Sequence, residues 1–177
     1  DVTASTSGFG TNATAWFAQT FTAGATGQLV RVELNLFCAS CTGAGTPPNF
    51  VVSIRATTPG NLPTGPDLAT AVIPGFTSGA GNWYAFSFAT PPSITAGTRY
   101  AIVGRPQANP PVGTYAYVVA PAAMPNTYLA GQRATSANSG GTWGAPNPNR
   151  DINFKTYTTG PLPYTFTPSG QMIGSIR

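Results

Sequence analysis

Residues 29–37 read LVRVELNLF, and this stretch decides the fold class. The even positions from 30 to 36 are all apolar, while positions 31, 33 and 35 are polar. A period of two is typical of a β-strand that turns one face to the core and the other to solvent. Residues 50–55, FVVSIR, and 84–88, YAFSF, repeat this alternation. Further strands are predicted at residues 16–22, 99–103, 114–119, 128–133 and 152–157.

Turn signals separate these segments. The chain contains 21 glycines and 18 prolines, and turn sequences such as TPGNLP at 58–63 and NSGG at 138–141 fall between the predicted strands. No amphipathic stretch has the helical period of about 3.6 residues. Short strands with such turns predict one all-β domain over residues 1–157. We expect an antiparallel, jelly-roll-like β-sandwich of about eight or nine strands, followed by an extended C-terminal tail.

Charged side chains are scarce. Only 7% of the residues are charged, there is no histidine, and aspartate and glutamate together number 4. Because catalysis depends on such groups, we expect a non-enzymatic protein with no catalytic residues and no cofactor. The basic residues are spread along the chain, which disfavours nucleic-acid binding despite the net charge of +4. No apolar run approaches the ~20 residues of a membrane span, so membrane insertion is not expected.

The polar surface must therefore come from threonine, serine, asparagine and glutamine. Little on such a surface titrates or is screened, so we expect the surface to respond weakly to pH and salt. This composition suits an exposed, extracellular or cell-surface location.

Cys38 and Cys41 are the only cysteines. A zinc site would need further cysteine or histidine ligands, and a thioredoxin-type motif would need to open a helix. We predict a disulfide that clamps the end of a strand, with free thiols as the alternative. A disulfide fits an oxidising compartment.

The carboxylates give little indication of a catalytic or metal-binding site. Glu33 and Asp151 are the candidates for a paired acid/base site, but Glu33 alternates outward beside Arg31, which favours an exposed cross-strand ion pair. Clustered carboxylates are lacking, so we expect no metal site. The alternative is one calcium ion held by Asp67 or Asp151 with backbone oxygens.

Aromatic side chains are the remaining candidates for binding a ligand. Trp143, in a glycine-rich loop, is the best candidate to stack on a sugar ring, and Tyr115, Tyr117 and Tyr128 are predicted to join it. The alternative for these rings is ordinary packing in the core or on a strand. Asn12 begins the sequence Asn-Ala-Thr, which matches an N-glycosylation site.

The tail at residues 158–177 is richer in apolar side chains than a free tail needs to be. It opens with GPLP at 160–163, which favours an extended spacer. The alternating YTFT at 164–167 then resembles a strand. We predict that this tail is an assembly element. The apolar side chains it would contribute are Tyr164, Phe166, Met172, Ile173 and Ile176.

Motifs between residues 18 and 157 match a known pattern. They are AQTFTA at 18–23, the 29–36 strand, 52–54 with PGNLPTG at 59–65, WYAFSF at 83–88, ITAGTRYAIV at 94–103, TW at 142–143 and the 151–157 strand. With these motifs the chain resembles the bacterial secreted β-sandwich domains called choice-of-anchor R. The resemblance implies a surface-exposed or secreted module and carries no catalytic residues. The tail after residue 157 departs from the family's pattern.

Two functions are consistent with these features. The first is a structural subunit of a cell-surface filament or layer, in which copies of the chain join because the tail of one adds a strand to the sheet of another. The partners are then other copies of the chain. The second is a carbohydrate-binding or adhesion module whose partner is a polysaccharide.

Overall fold

A computed structural model describes residues 7–41, 45–119 and 128–160 of the chain. These residues form eleven β-strands and no helix. The strands are β1 (Ser7–Thr11), β2 (Trp16–Thr22), β3 (Gly27–Ala39), β4 (Phe50–Thr57), β5 (Pro63–Ile73), β6 (Asn82–Ser87), β7 (Ser93–Ile94), β8 (Arg99–Pro106), β9 (Thr114–Val119), β10 (Arg133–Ser136) and β11 (Phe154–Thr159).

The strands form two antiparallel sheets. Sheet B has the order β10-β2-β8-β4-β5. Sheet A is built around the long strand β3, which pairs with β9 and β11 and also with β6 and β7. On one side of β3, both Leu34 and Leu36 pair with β6. On the other side, Leu34 pairs with β11 and Leu36 pairs with β9, so β9 and β11 lie end to end along that side. The predicted β-sandwich class is confirmed.

The core lies between the sheets and is rich in aromatic rings. From β3 the apolar side chains at 32, 34 and 36 are fully buried, as the alternation predicted. Opposite them, Phe17 of β2 packs against Tyr117 of β9 with ring centroids 4.3 Å apart. The ring of Phe17 also lies against the backbone of Gly104 in β8, where a Cβ atom would come within 2.1 Å of it. A side chain at position 104 would therefore displace this ring.

Most predicted strands coincide with observed ones, and the differences have local causes. β2 and β9 have the predicted bounds, whereas β11 runs to Thr159, two residues past the predicted end at 157. The strand predicted at 128–133 is wrong, because β10 begins only at Arg133. β1, β5 and β7 were not predicted. β5 was not predicted because it contains prolines at 63 and 66 and a glycine at 65, which are residues typical of turns.

Candidate functional site

The two edges of sheet B differ in how well they are covered. On the outer side of β10, the Gly144 N–H donates to the Thr135 carbonyl over 2.8 Å, and the Asn147 N–H donates to the Arg133 carbonyl over 2.7 Å. The loop after β10 thus uses hydrogen-bonding groups that an edge strand otherwise leaves open. At the opposite edge, β5 pairs with β4 and with no other strand in the described part of the chain.

The second half of β5, residues 68–73, forms the exposed edge of sheet B. Its sequence is LATAVI, which contains no charged side chain. Leu68 and Val72 are 45% and 49% exposed, whereas Ala71 on the opposite face is buried. These side chains follow the strand period of two. The segment is an uncharged edge strand with apolar side chains in solvent, which is a feature of sites where another strand adds.

The first half of β5 is irregular. Gly65 has a φ of +69°, and the pairing register with β4 shifts between Ile54 and Ala56. Pro63 and Pro66 lack N–H donors, so they weaken the outer edge at that end. The regular edge available to another strand is therefore confined to residues 68–73.

A charged cluster lies on the outer face of sheet B beside this edge. Asp67 accepts a hydrogen bond from Arg55 Nε over 2.6 Å and one from Arg105 Nη2 over 2.9 Å. Burial acts to raise the pKa of Asp67, but hydrogen bonds from Arg55 and Ser53 and the charge of Arg105 together hold it below its usual value. The two arginines thus share one carboxylate, and the cluster keeps one net positive charge on the outer face of the sheet.

Two tryptophans cover the rest of this outer face. The guanidinium of Arg105 lies 4.4 Å from the ring centroid of Trp16, and a Cβ atom at Gly140 would come within 2.8 Å of the same ring. Trp16 is therefore packed between an arginine and the loop backbone. Trp143 is half-buried and packs against the small buried patch made by Ala18, Ala101 and Val103.

The tyrosines predicted to join Trp143 lie elsewhere. Tyr115 is fully buried and Tyr117 is 2% exposed. Their positions in β9 alternate inward, so both rings fill the core, and the expectation that they line a sugar-binding surface is corrected. Tyr128 is half-buried, packs edge-on against Phe154 and donates its hydroxyl to the Thr22 carbonyl. Of the four predicted stacking residues, Trp143 is the one on the outer face of sheet B.

Cys38 and Cys41 form the predicted disulfide. Cys38 belongs to β3 and Cys41 follows its end, and both are buried. The bond closes the turn through Ser40, which has a φ of +58°. The strand-clamping disulfide is thus confirmed.

Asn12 lies in the turn between β1 and β2. Its side-chain oxygen accepts hydrogen bonds from the backbone N–H groups of Thr14 and Ala15 over 2.9 and 2.7 Å. The residue therefore shapes this turn, as asparagine commonly does. Glycosylation at Asn12 stays a prediction.

The carboxylates proposed for acid/base chemistry have different surroundings. Glu33, on the outer face of sheet A, lies 3.2 Å from Arg31 of the same strand and 3.6 Å from Lys155 on the neighbouring strand β11. The expected cross-strand ion pair is therefore formed with Lys155, and the Glu33 side chain is partly buried rather than exposed. Asp151 lies between the sheets, 1% exposed, and accepts a hydrogen bond from Gln19 Nε2 over 2.8 Å. Burial raises the pKa of Asp151 to about 6, although hydrogen bonds from Gln19 and the Tyr128 backbone oppose the shift.

Within residues 7–41, 45–119 and 128–160, no three histidine, cysteine, aspartate or glutamate side chains lie close enough together to hold a metal ion. The same ranges contain no helix with the length and apolarity of a membrane span. The predicted assembly residues lie outside the described part of the chain. They are Tyr164, Phe166, Met172, Ile173 and Ile176.

Sequence reasoning missed the exposed edge and the charged cluster beside it. Alanines dilute the apolar alternation of 68–73, and prolines precede it, so the segment gave a weak strand signal. The partners of Asp67 stand 12 and 38 residues away along the chain, so no local pattern joins them. Comparison with known proteins found no matching family model. A search of curated proteins found no similar sequence.

Proposed function

We propose that the chain is a non-enzymatic structural subunit of an extracellular filament or surface layer. Each copy is joined to the next when the tail after β11 adds a strand to a sheet of its neighbour. The observation that carries this proposal is the edge strand at residues 68–73, which is uncharged, exposes Leu68 and Val72 and pairs with β4 alone among the described strands. Strand addition uses such an edge because backbone hydrogen bonds supply affinity and alternating side chains supply register.

The surface supports the same proposal. The acidic side chains of the described residues interact within the domain, because Glu33 and Asp67 form ion pairs and Asp151 is buried. The acceptor strand itself, residues 68–73, carries no charge that would oppose an uncharged strand. A contact between two different surfaces of the same chain repeats without closing at a general rotation, which yields a filament.

An extracellular location is part of this proposal. The Cys38–Cys41 disulfide supports it, because disulfides persist in oxidising compartments. The resemblance to choice-of-anchor R domains belongs to the same proposal, since that family is secreted or surface-exposed.

Truncation tests the proposal. Removal of residues 161–177 leaves β11 whole, because that strand ends at Thr159. We expect the full chain to form filaments visible by negative-stain electron microscopy and the truncated chain to remain a folded monomer. Light scattering and thermal unfolding of the truncated chain control for its folding. Filaments of the truncated chain as abundant as those of the full chain would falsify the role of the tail.

A carbohydrate-binding or adhesion function is the second candidate. It is favoured by Trp143, which lies half-buried on a patch of small side chains on the outer face of sheet B. A flat aromatic face with polar neighbours suits a sugar ring. Binding to a glycan array that is lost in Trp143→Ala and kept in Trp83→Ala would favour this function over assembly.

A further inference from the structure

We infer that residues 68–73 of β5 receive the tail of a second copy, with Tyr164 and Phe166 of that tail packed over Ala69 and Ala71. This inference rests on the proposed function and names its acceptor. The segment 68–73 is called the acceptor edge below.

The other sheet edges in the described residues are less suited to an apolar strand. The outer side of β10 is partly covered by backbone hydrogen bonds from Gly144 and Asn147. Beside β1, the guanidinium groups of Arg133 and Arg150 lie 4.5 and 5.0 Å from the ring centroid of Phe9. Charges at a sheet edge oppose the addition of an uncharged strand.

The two remaining edges of sheet A also border charge. β11 carries Lys155, whose ammonium group lies 4.2 Å from the ring centroid of Trp83 in β6. The same lysine lies 3.6 Å from Glu33. β1 and β6 also contain no charged residue. Among the edge strands of residues 7–41, 45–119 and 128–160, however, the acceptor edge is the one that exposes large apolar side chains, Leu68 and Val72.

The inner face of the acceptor edge carries small side chains at positions 69 and 71. Ala69 and Ala71 point toward the core, and Ala69 is partly exposed, so small methyl groups border a core of aromatic rings there. In an added strand, side chains two residues apart lie on the same face. Tyr164 and Phe166 have that spacing, and a large ring opposite an alanine fills space that the alanine leaves.

The tail matches the acceptor edge in charge and length. Residues 161–176 contain no charged side chain, and the outer-face threonine at position 70 would meet Thr165 or Thr167 of the added strand. The 17 residues from 161 to 177 span roughly 56 Å when extended, at about 3.3 Å per residue. A six-residue pairing needs about 20 Å of this length, so the rest can serve as a spacer between copies.

Engineered disulfide formation tests the pairing directly. The native cysteines are both bonded, so added cysteines are the only thiols. The variant Thr70→Cys/Thr165→Cys should give a ladder of covalent oligomers on a non-reducing gel, because directly opposed residues lie within disulfide reach. The control Val112→Cys/Thr165→Cys places the first thiol on an exposed residue away from β5. No ladder, or an equal ladder in the control, overturns the pairing.

Charge substitution tests the acceptor edge by a second route. Leu68→Lys/Val72→Lys adds two charges at exposed positions, so the fold is expected to survive and filaments to be lost. The matched control Val112→Lys/Leu129→Lys changes the other two exposed large apolar residues among the described ones and should retain filaments. Thermal unfolding of both variants verifies folding.

The outcomes separate the two claims. Filaments in the native chain that persist in Leu68→Lys/Val72→Lys reject the acceptor edge and leave filament assembly standing. Absence of filaments from the native chain under all conditions rejects the proposed function itself, and the acceptor edge falls with it.

Discussion

At the residue scale, the carboxyl groups at positions 33, 67 and 151 have two kinds of surroundings. Glu33 and Asp67 each contact two cationic side chains. Asp151 has no cationic partner within salt-bridge distance; it is buried and is held by Gln19 and by the backbone of Tyr128. The proton is therefore the natural partner of Asp151, which agrees with its raised pKa.

We expect the buried carboxyl of Asp151 to make folding pH-dependent, although the surface composition predicts a weak response to pH. Its pKa is about 6 in the folded chain against a usual 3.8, so the folded state binds the proton more tightly. The stabilisation that protonated Asp151 contributes is fully present below pH 3.8 and is lost as the pH rises through about 6. We expect the free energy of unfolding, measured with urea, to be about 2 kcal/mol lower at about pH 7.5 than at about pH 4.5.

The variant Asp151→Asn is the control for this prediction. It keeps an acceptor for Gln19 and removes the titration, so its stability should be nearly equal at the two pH values. Asp67 does not affect this comparison. Its pKa is lower in the folded chain than its usual value of 3.8, so the stability that it contributes is lost only when the pH falls below that value. An equal pH dependence in Asp151→Asn and the native chain would assign the effect to other groups.

At the scale of the elements, sequence reasoning succeeded where one face of a strand is buried and failed where turn residues lie inside a strand. The 29–37 alternation predicted β3 because the apolar side chains at 32, 34 and 36 are buried, which makes the pattern strict. β5 was missed because it begins with Pro63 and includes Gly65 and Pro66. The hydrogen bond from Gln19 to Asp151 spans 132 residues, so only the folded chain brings its two groups together.

The disulfide at the end of β3 should contribute modestly to stability. Its cysteines are separated by 3 positions, and the chain entropy that such a short loop removes from the unfolded state corresponds to about 2 kcal/mol. We expect a reducing agent to lower the free energy of unfolding by this amount while the chain still folds. The measurement is a urea titration with and without reductant.

The variant Cys38→Ala/Cys41→Ala provides the comparison for the disulfide. Its unfolding should not respond to the reducing agent, which separates the loss of the bond from a general effect of the reagent. If the native chain is fully reduced, as checked by its mass, and its stability is unchanged, the predicted contribution is wrong.

At the scale of the whole molecule, charge is gathered into a few compact groups. One group surrounds Glu33 on the outer face of sheet A, and another surrounds Asp67 on the outer face of sheet B. Both are partly buried, and such pairs are screened less by salt than exposed ones. The remaining surface of the described residues is mainly neutral and polar.

Salt should therefore have little effect on folding. Between about 0.05 M and about 1 M sodium chloride, we expect the free energy of unfolding to change by less than about 1 kcal/mol. The measurement is a urea titration at constant pH, and the variant Asp67→Asn shows how much of any change belongs to the sheet B cluster. A larger change that persists in Asp67→Asn would mean that charges outside this cluster control folding.

The position of β11 has a consequence for the timing of self-association. This strand closes sheet A by pairing with β3, and Leu34 and Phe154 are brought together from distant parts of the chain. Contacts of such long sequence separation slow folding, as in other sandwich domains. Synthesis delivers β11 before residues 161–177 follow it. Under the proposed function, the strand that completes a subunit's own sheet is therefore made before the segment that would bind another copy.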